Sequence, residues 1–264
     1  MSACTENVEK SAGRFLEMAT ASFENEDYNG AKQMIDSIRI LYPKAFEARK
    51  KGLELMQRIE ESESLRTIAF EDSLIAEYSS LFEKMRDNYS FEKDEKYQDM
   101  GSYFAPSQIL EKNLGRNYLR GQVDEIGRMT IVSNYTGSKY IHHRSVKVTD
   151  GNTFAQSPVS DDYYEFTDLG IFYEKCNLKS GEDGGVAAYI AQNRDKKLRV
   201  TLIGDKSLVV EVTAADRNAI GSLFDLSQLL MSIEEHKKIR SEAERKLEFV
   251  RHNMAAADSA SFAK

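Results

Sequence analysis

Apolar residues recur every three or four positions at the start of the chain: Val8, Ala12, Phe15, Ala19 and Phe23 share one face between Glu6 and Asn25. That spacing predicts an amphipathic helix. A second stripe, Ala31, Met34, Ile35, Ile38 and Leu41, begins near Tyr28 and stops at Pro43, a residue that cannot continue a helix. The two stripes predict a helical hairpin. From Ala45 to about Tyr97 the chain has no proline and only Gly52, and it is dense in Glu, Lys, Arg and Leu, which predicts one long helix. Ile68, Ile75, Phe82 and Tyr89 recur at a spacing of seven, with Tyr78 and Met85 beside them, a heptad-like seam that requires a partner. The C-terminal region offers one. Thr213 suits a helix cap, Leu226, Ile233 and Leu247 form one seven-residue row, and Leu229, Ala243 and Val250 form the next.

Between these segments the period shortens to two. The runs NYLRGQVDE, GRMTIVSNYTG, KYIHHRSVKVT, YYEFTDLGIFYEKCNL, GVAAYIAQNR, KLRVTLIGD and SLVVEVT are β-branched or aromatic and bounded by turn residues. Roughly seven strands at this spacing predict an antiparallel sandwich or small barrel. The expected fold is therefore α+β: an N-terminal helical hairpin and a long antiparallel coiled-coil-like stalk, with an antiparallel β domain inserted. Residues 5–98 with 214–254 would form the helical part and 99–213 the β domain, with a short helical piece in 99–113. The small-residue stretch 255–264 is expected to be a disordered tail.

Composition narrows the function classes. The 264 residues are 41% hydrophobic and 30% charged, enough apolar content to bury one large or two small cores. A net charge of -7 argues against a dedicated nucleic-acid binder, which needs a basic face for the phosphates. No run approaches the roughly 20 apolar residues that span a bilayer. Two cysteines, Cys4 and Cys176, could pair once at most, so no disulfide framework is expected.

The chain carries no CxxC, HExxH, GxSxG, GxxxxGK[ST] or GxGxxG pattern, so no catalytic residue, metal or cofactor is expected and the protein reads as non-enzymatic. His142 and His143 adjoin on an expected strand, which turns them to opposite faces and keeps them from gripping one metal. His236 falls within the helical seam, Asp161-Asp162 reads as a turn, and Cys176 as a small buried apolar residue. The tyrosines are harder to place. Tyr163 and Tyr164 adjoin on an expected strand and cannot both enter one core. With Tyr135 and Tyr140 they make a candidate ligand platform, for instance for a glycan.

Two resemblances add to this reading. Over positions 12–45, Phe15, Ala19, Ala21, Tyr28, Ala31, Ile35 and Pro43 resemble one tetratricopeptide repeat, departing at Ser22 and Ile38. Such repeats bury their faces by stacking, so a single unit implies some other partner. Ser2-Ala3-Cys4 resembles the end of a bacterial lipobox, with Met1 where leucine would stand and the apolar segment missing. That resemblance implies acylation of Cys4 and, from Thr5 after it, a periplasm-facing outer-membrane lipoprotein of the cell envelope; a cytoplasmic protein is the alternative. Together the features resemble bacterial envelope lipoproteins and suggest a membrane-anchored scaffold or protein-interaction module, with a protein partner, no nucleic acid, and self-association through the helices as a further expectation. A ligand-binding β module, and then a hydrolase with an unrecognised site, are the alternatives.

Overall fold

A computed structural model describes residues 2–96 and 98–262, with the side chains of 2–6 and 257–262 outside that description. The chain divides into two compact units, residues 1–75 with 236–264 and residues 76–235. The fold is α+β, with helices at both ends and antiparallel sheets in the middle.

In the helical unit, α1 (Ser2–Glu24) and α2 (Tyr28–Leu41) form the expected hairpin. Asp27 starts α2 by accepting the Gly30 N–H at 2.9 Å, an N-cap bond that satisfies one of the free donors of the first turn. Small buried residues, Ala12, Ala19 and Ala31, let the helices approach closely, and Ile35 and Ile38 fill the space against Ala48, Leu55 and Ile59 of α3 (Phe46–Met85). The last part of α5 (Ala214–Phe262) pairs with α3 in the antiparallel sense: His236 meets Glu71 at 2.7 Å, Arg240 meets Asp72 and Arg251 meets Glu61. Leu247 and Val250 are buried in this unit.

The seam carries a polar stretch that apolar periodicity could not reveal. Counting back by sevens from Met85 and Tyr78 leads to Glu71 and Ser64, both buried. Ser64 returns its hydroxyl to the Glu60 carbonyl, and Glu71 is held by His236.

In the second unit, α3 ends at Met85, a 3-10 turn follows at Arg86–Asn88, and β1 (Ser90–Glu92) begins. The long helix is thus shorter than expected, because the chain here joins a sheet. Tyr89 does not continue the helical row; its hydroxyl donates to the Ser222 carbonyl at 2.9 Å. One sheet runs β1-β2-β3-β4-β8-β7, with β2 (Ser102–Phe104), β3 (Tyr118–Asp124), β4 (Met129–Gly137), β7 (Tyr163–Asp168) and β8 (Ile171–Leu178). The other runs β10-β9-β5-β6, with β5 (Ser145–Thr149), β6 (Phe154–Gln156), β9 (Leu198–Ile203) and β10 (Leu208–Val212). Every pairing is antiparallel and neither sheet closes, so the small barrel is not formed. One core joins Ile131, Cys176 and Leu178 of the first sheet to Val146, Val200 and Leu202 of the second, and Ile220, Leu223 and Leu226 of α5 complete it with Tyr78, Phe82 and Met85 at its margin.

Other expectations are corrected. GVAAYIAQNR is not a strand: Val186–Gln192 is α4, whose Val186, Ala187, Ile190 and Ala191 are buried, a helical spacing supported by alanine's high helix propensity. YYEFTDLGIFYEKCNL is a hairpin of two strands, reversed at Leu169 (φ 48) and Gly170 (φ 78). Phe154–Gln156 is a strand that the turn-rich sequence hid. Residues 255–262, expected to be disordered, continue α5 as helix; 263 and 264 lie outside the described residues.

The pair of buried Glu71 and half-buried His236 gives a test of the seam. His236→Leu should destabilise the protein by about 1–3 kcal/mol, because it strips a partner from a buried carboxylate. Adding Glu71→Leu should recover most of that loss in urea unfolding, as two packed leucines replace the pair. A double variant no more stable than the single one would show that the pair is not what holds this part of the seam.

Candidate functional site

The four tyrosines do not form one platform. Strand pairing puts Tyr163 opposite Cys176, which faces Ser133, so this row points into the core. Tyr164 pairs with Lys175 on the opposite face and is 61% exposed. Tyr135 is buried and donates to the Lys139 carbonyl at 2.7 Å. Tyr140 lies in the β4–β5 connection, stacks on His142 at 5.6 Å and shares a 2.7 Å hydrogen bond with Thr167. Period-two alternation separates Tyr163 from Tyr164. Cys4 lies within α1, and its side chain is outside the described residues.

What gathers at the inner face is a polar chain. Glu174 Oε2 accepts from His143 Nδ1 at 2.7 Å, and His143 Nε2 lies 2.9 Å from Ser133 Oγ. With Nδ1 donating to the carboxylate, Nε2 is left to accept from the serine hydroxyl, the neutral tautomer that this network selects. Carboxylate, imidazole and hydroxyl in this order match the connectivity of a nucleophilic triad. Burial argues for another role. Ser133 and His143 are 0% exposed and Glu174 is 1% exposed, so the hydroxyl faces packed protein rather than a cleft.

Glu174 also accepts the backbone N–H groups of Ile141, His142 and His143. These bonds bind the β4–β5 connection to β8 and hold His142 at φ 52, a left-handed conformation uncommon outside glycine. The two histidines therefore separate because of this bend, not because they lie on a strand. His143 is buried, whereas His142 reaches Asp205 at 2.8 Å on the surface.

The charges follow from this arrangement. Burial lowers the His143 pKa from its ordinary 6.5, and the Glu174 carboxylate opposes that fall without reversing it. Burial alone would raise the Glu174 pKa; the backbone N–H of His143, its ring, and the N–H groups of His142 and Ile141 outweigh it and hold the carboxyl below 4.5. Burial pushes the Cys176 thiol up to about 11, which leaves it protonated and unreactive at neutral pH.

Two surface features stand apart from this network. The outer face of the six-stranded sheet bears Tyr164, Phe166 and Tyr173, the last two stacked at 4.7 Å with planes 8° apart. In the helical unit, α2 and α3 enclose a groove of about 620 Å³ lined by Ile35, Phe46, Gly52, Leu53 and Met56. Phe46 and Leu53 remain 69% and 62% exposed. A Cβ at Gly52 would stand 3.4 Å from Ile35, so glycine helps keep the groove deep. Arg39, Arg49 and Lys50 surround it, against the one carboxylate Asp36; Arg39 spans to that carboxylate at 3.1 Å, and Arg49 donates to the Pro43 carbonyl.

No known family, curated protein or solved structure matches the chain. Among the described residues no helix is long and apolar enough to cross a membrane, and no three His, Cys, Asp or Glu side chains are placed to hold a metal ion.

The network predicts acid sensitivity with a definite sign. Both pKa values are depressed in the folded state, so unfolding takes up protons and stability falls as pH falls. The His143 contribution should begin to be lost as pH drops through 6.5, and that of Glu174 as it drops through 4.5. His142, whose pKa is raised by its Asp205 hydrogen bond, contributes the opposite sign in the same window, so the His143 contribution is read as a difference: between about pH 6.5 and 5 the urea midpoint of the unaltered chain should fall more steeply, or rise less, than that of His143→Gln. An unchanged slope in that variant would remove His143 from the account.

Proposed function

We propose that this chain is a non-enzymatic protein-interaction module whose α2–α3 groove receives an amphipathic helix from a partner, apolar along one side and flanked by acidic residues. The observation that carries this reading is the pair Phe46 and Leu53, left mostly exposed along an apolar groove between two helices. Large apolar side chains aligned in a groove mark an interaction surface. Helix-in-groove recognition suits a channel between two helices, whose side-chain ridges a third helix can match. In stacked helical repeats a neighbouring unit covers such a face. Here α3 runs on as far as Met85 without turning back to cover it.

The flanking charge selects the partner's chemistry. Three cations and one carboxylate line the groove of a chain whose net charge is -7, so the cations are concentrated where an acidic helix would lie. Such complementarity speeds encounter and disfavours basic partners.

The test uses labelled amphipathic peptides with one apolar face and either acidic or basic flanks, titrated against the full chain. The acidic peptide should bind more tightly and weaken with added salt, and Leu53→Glu should reduce its affinity at least about tenfold. Equal binding of both peptides, or no effect of Leu53→Glu, would overturn the reading. Sedimentation of the chain alone tests the other occupant: self-association abolished by Leu53→Glu would assign the groove to a second copy.

We also propose Cys4 as the position of acylation, on the strength of the Ser2-Ala3-Cys4 resemblance, which would place the module at the cell envelope. Several acyl chains on one cysteine would give firm anchoring, since a single chain binds membranes only marginally. The full native gene product, expressed in a bacterial host, should show a lipid mass increment and membrane retention, both lost in Cys4→Ala. An unmodified soluble product would sink this part.

A further inference from the structure

The outer face of the six-stranded sheet holds a row of directly paired residues across four strands: Tyr118 on β3, Asn134 on β4, Lys175 on β8 and Tyr164 on β7. The adjacent row is Thr136, Tyr173 and Phe166. Cross-strand partners share a face, so an amide and an ammonium lie between aromatic rings. Over all of these residues but Tyr164, with Leu110 and Leu114 on another side, is a cleft of about 210 Å³.

Tyr118 lines this cleft and is 4% exposed, yet its phenol oxygen has no hydrogen-bond partner among the described residues. Two residues further along the same face, Arg120 Nε is likewise buried and unpartnered. A buried polar group without a partner is costly and calls for an explanation. Both orphaned groups can donate, and neither is met by an acceptor among the described residues. Lys175 is half-buried and no carboxylate pairs with it among the described residues.

Arg116 and Glu174, which also line the cleft, are engaged elsewhere. Arg116 lies over the Tyr118 ring at 5.0 Å, and its Nη2 is bound to Asp216 at 2.7 Å. The Glu174 carboxylate is engaged by His143 and the 141–143 backbone on the inner face. Asp168 stands exposed at the end of β7. Among the described residues the unengaged charges are thus the Lys175 ammonium, within the cleft beside the phenol donor and a stacked aromatic wall, and the Asp168 carboxylate, exposed to solvent at its edge.

We propose that this cleft is a binding site for a small aromatic carboxylate, the ring lying against Tyr173 and Phe166 and the carboxylate taken by Lys175 and the Tyr118 hydroxyl. The volume suits one ring with a charged substituent, since a cavity of about 150 Å³ accommodates benzene. Burial keeps the Tyr118 pKa above its ordinary value, so the phenol remains a donor. This site is independent of the α2–α3 groove, and either can fail without the other.

The probes are benzoate and 4-hydroxybenzoate, with 4-hydroxybenzyl alcohol as the neutral ring and glucuronate as the sugar acid, each titrated into the full chain by calorimetry or ligand-observed NMR. One of the aromatic acids should bind at least about tenfold more tightly than the alcohol, as expected for a charge-assisted hydrogen bond. Lys175→Met should cost about tenfold. Tyr118→Phe should weaken binding several-fold while leaving the thermal midpoint unchanged or higher, because it removes an unpartnered buried hydroxyl. Absence of binding by either aromatic acid up to about 10 mM, equal binding of the alcohol, or tighter binding of glucuronate would overturn the proposal. So would wild-type affinity in both variants, or a lowered midpoint in Tyr118→Phe.

Discussion

The second unit depends on one carboxylate. The segment between β4 and β5 carries the chain from one sheet to the other, and Glu174 receives three successive backbone N–H groups from it. Strand pairing cannot satisfy those donors, because the segment has left one sheet and not yet joined the next. A buried anion with four donors repays its desolvation through charge-assisted bonds. His143 and Ser133 extend the arrangement into the core. The same three side chains that suggest catalysis by their connectivity thus have a structural task, and it is their burial that distinguishes the two.

The fold class was readable because period carries burial. Stripes at three and four positions became α1 and α2, and alternation separated Tyr163 from Tyr164. What escaped was polar or short. Ser64 and Glu71 occupy the buried row of α3, but hydrophobic counting passes over them. Glu174 lies on β8 amid apolar and aromatic residues, and only the distant bend at 141–143 explains its burial. Val186–Gln192 contains apolar neighbours that suit strand or helix equally, and contact with the β core decides between them. For the surface features the difficulty was spatial. Phe46 and Leu53 lie in the long helix the sequence predicts, and their exposure follows from what α3 does not fold back to cover. Tyr118, Asn134, Lys175 and Tyr164 come from four strands, and no local spacing relates them.

The two surface features differ in kind as well as place. The α2–α3 groove is long, apolar and rimmed by cations, and its energetics would rest on area removed from water. The sheet cleft is smaller and its lining includes the Tyr118 phenol, a donor that lacks an acceptor, and the Lys175 ammonium, so its energetics would rest on a few hydrogen bonds formed out of solvent. Neither draws on the Ser133–His143–Glu174 chain, whose side-chain hydrogen bonds are made within the core.

Cys176 gives the β unit a built-in clock. Its thiol is fully buried between the sheets and held protonated at neutral pH, so a thiol reagent has access only when the surrounding strands part. Its rate of modification therefore measures how often that core opens and how long it stays open. Cys176 is the cross-strand partner of Ser133 on β4 and of Tyr163 on β7, and it reports on the region around the Glu174 anchor without any label being engineered into the protein.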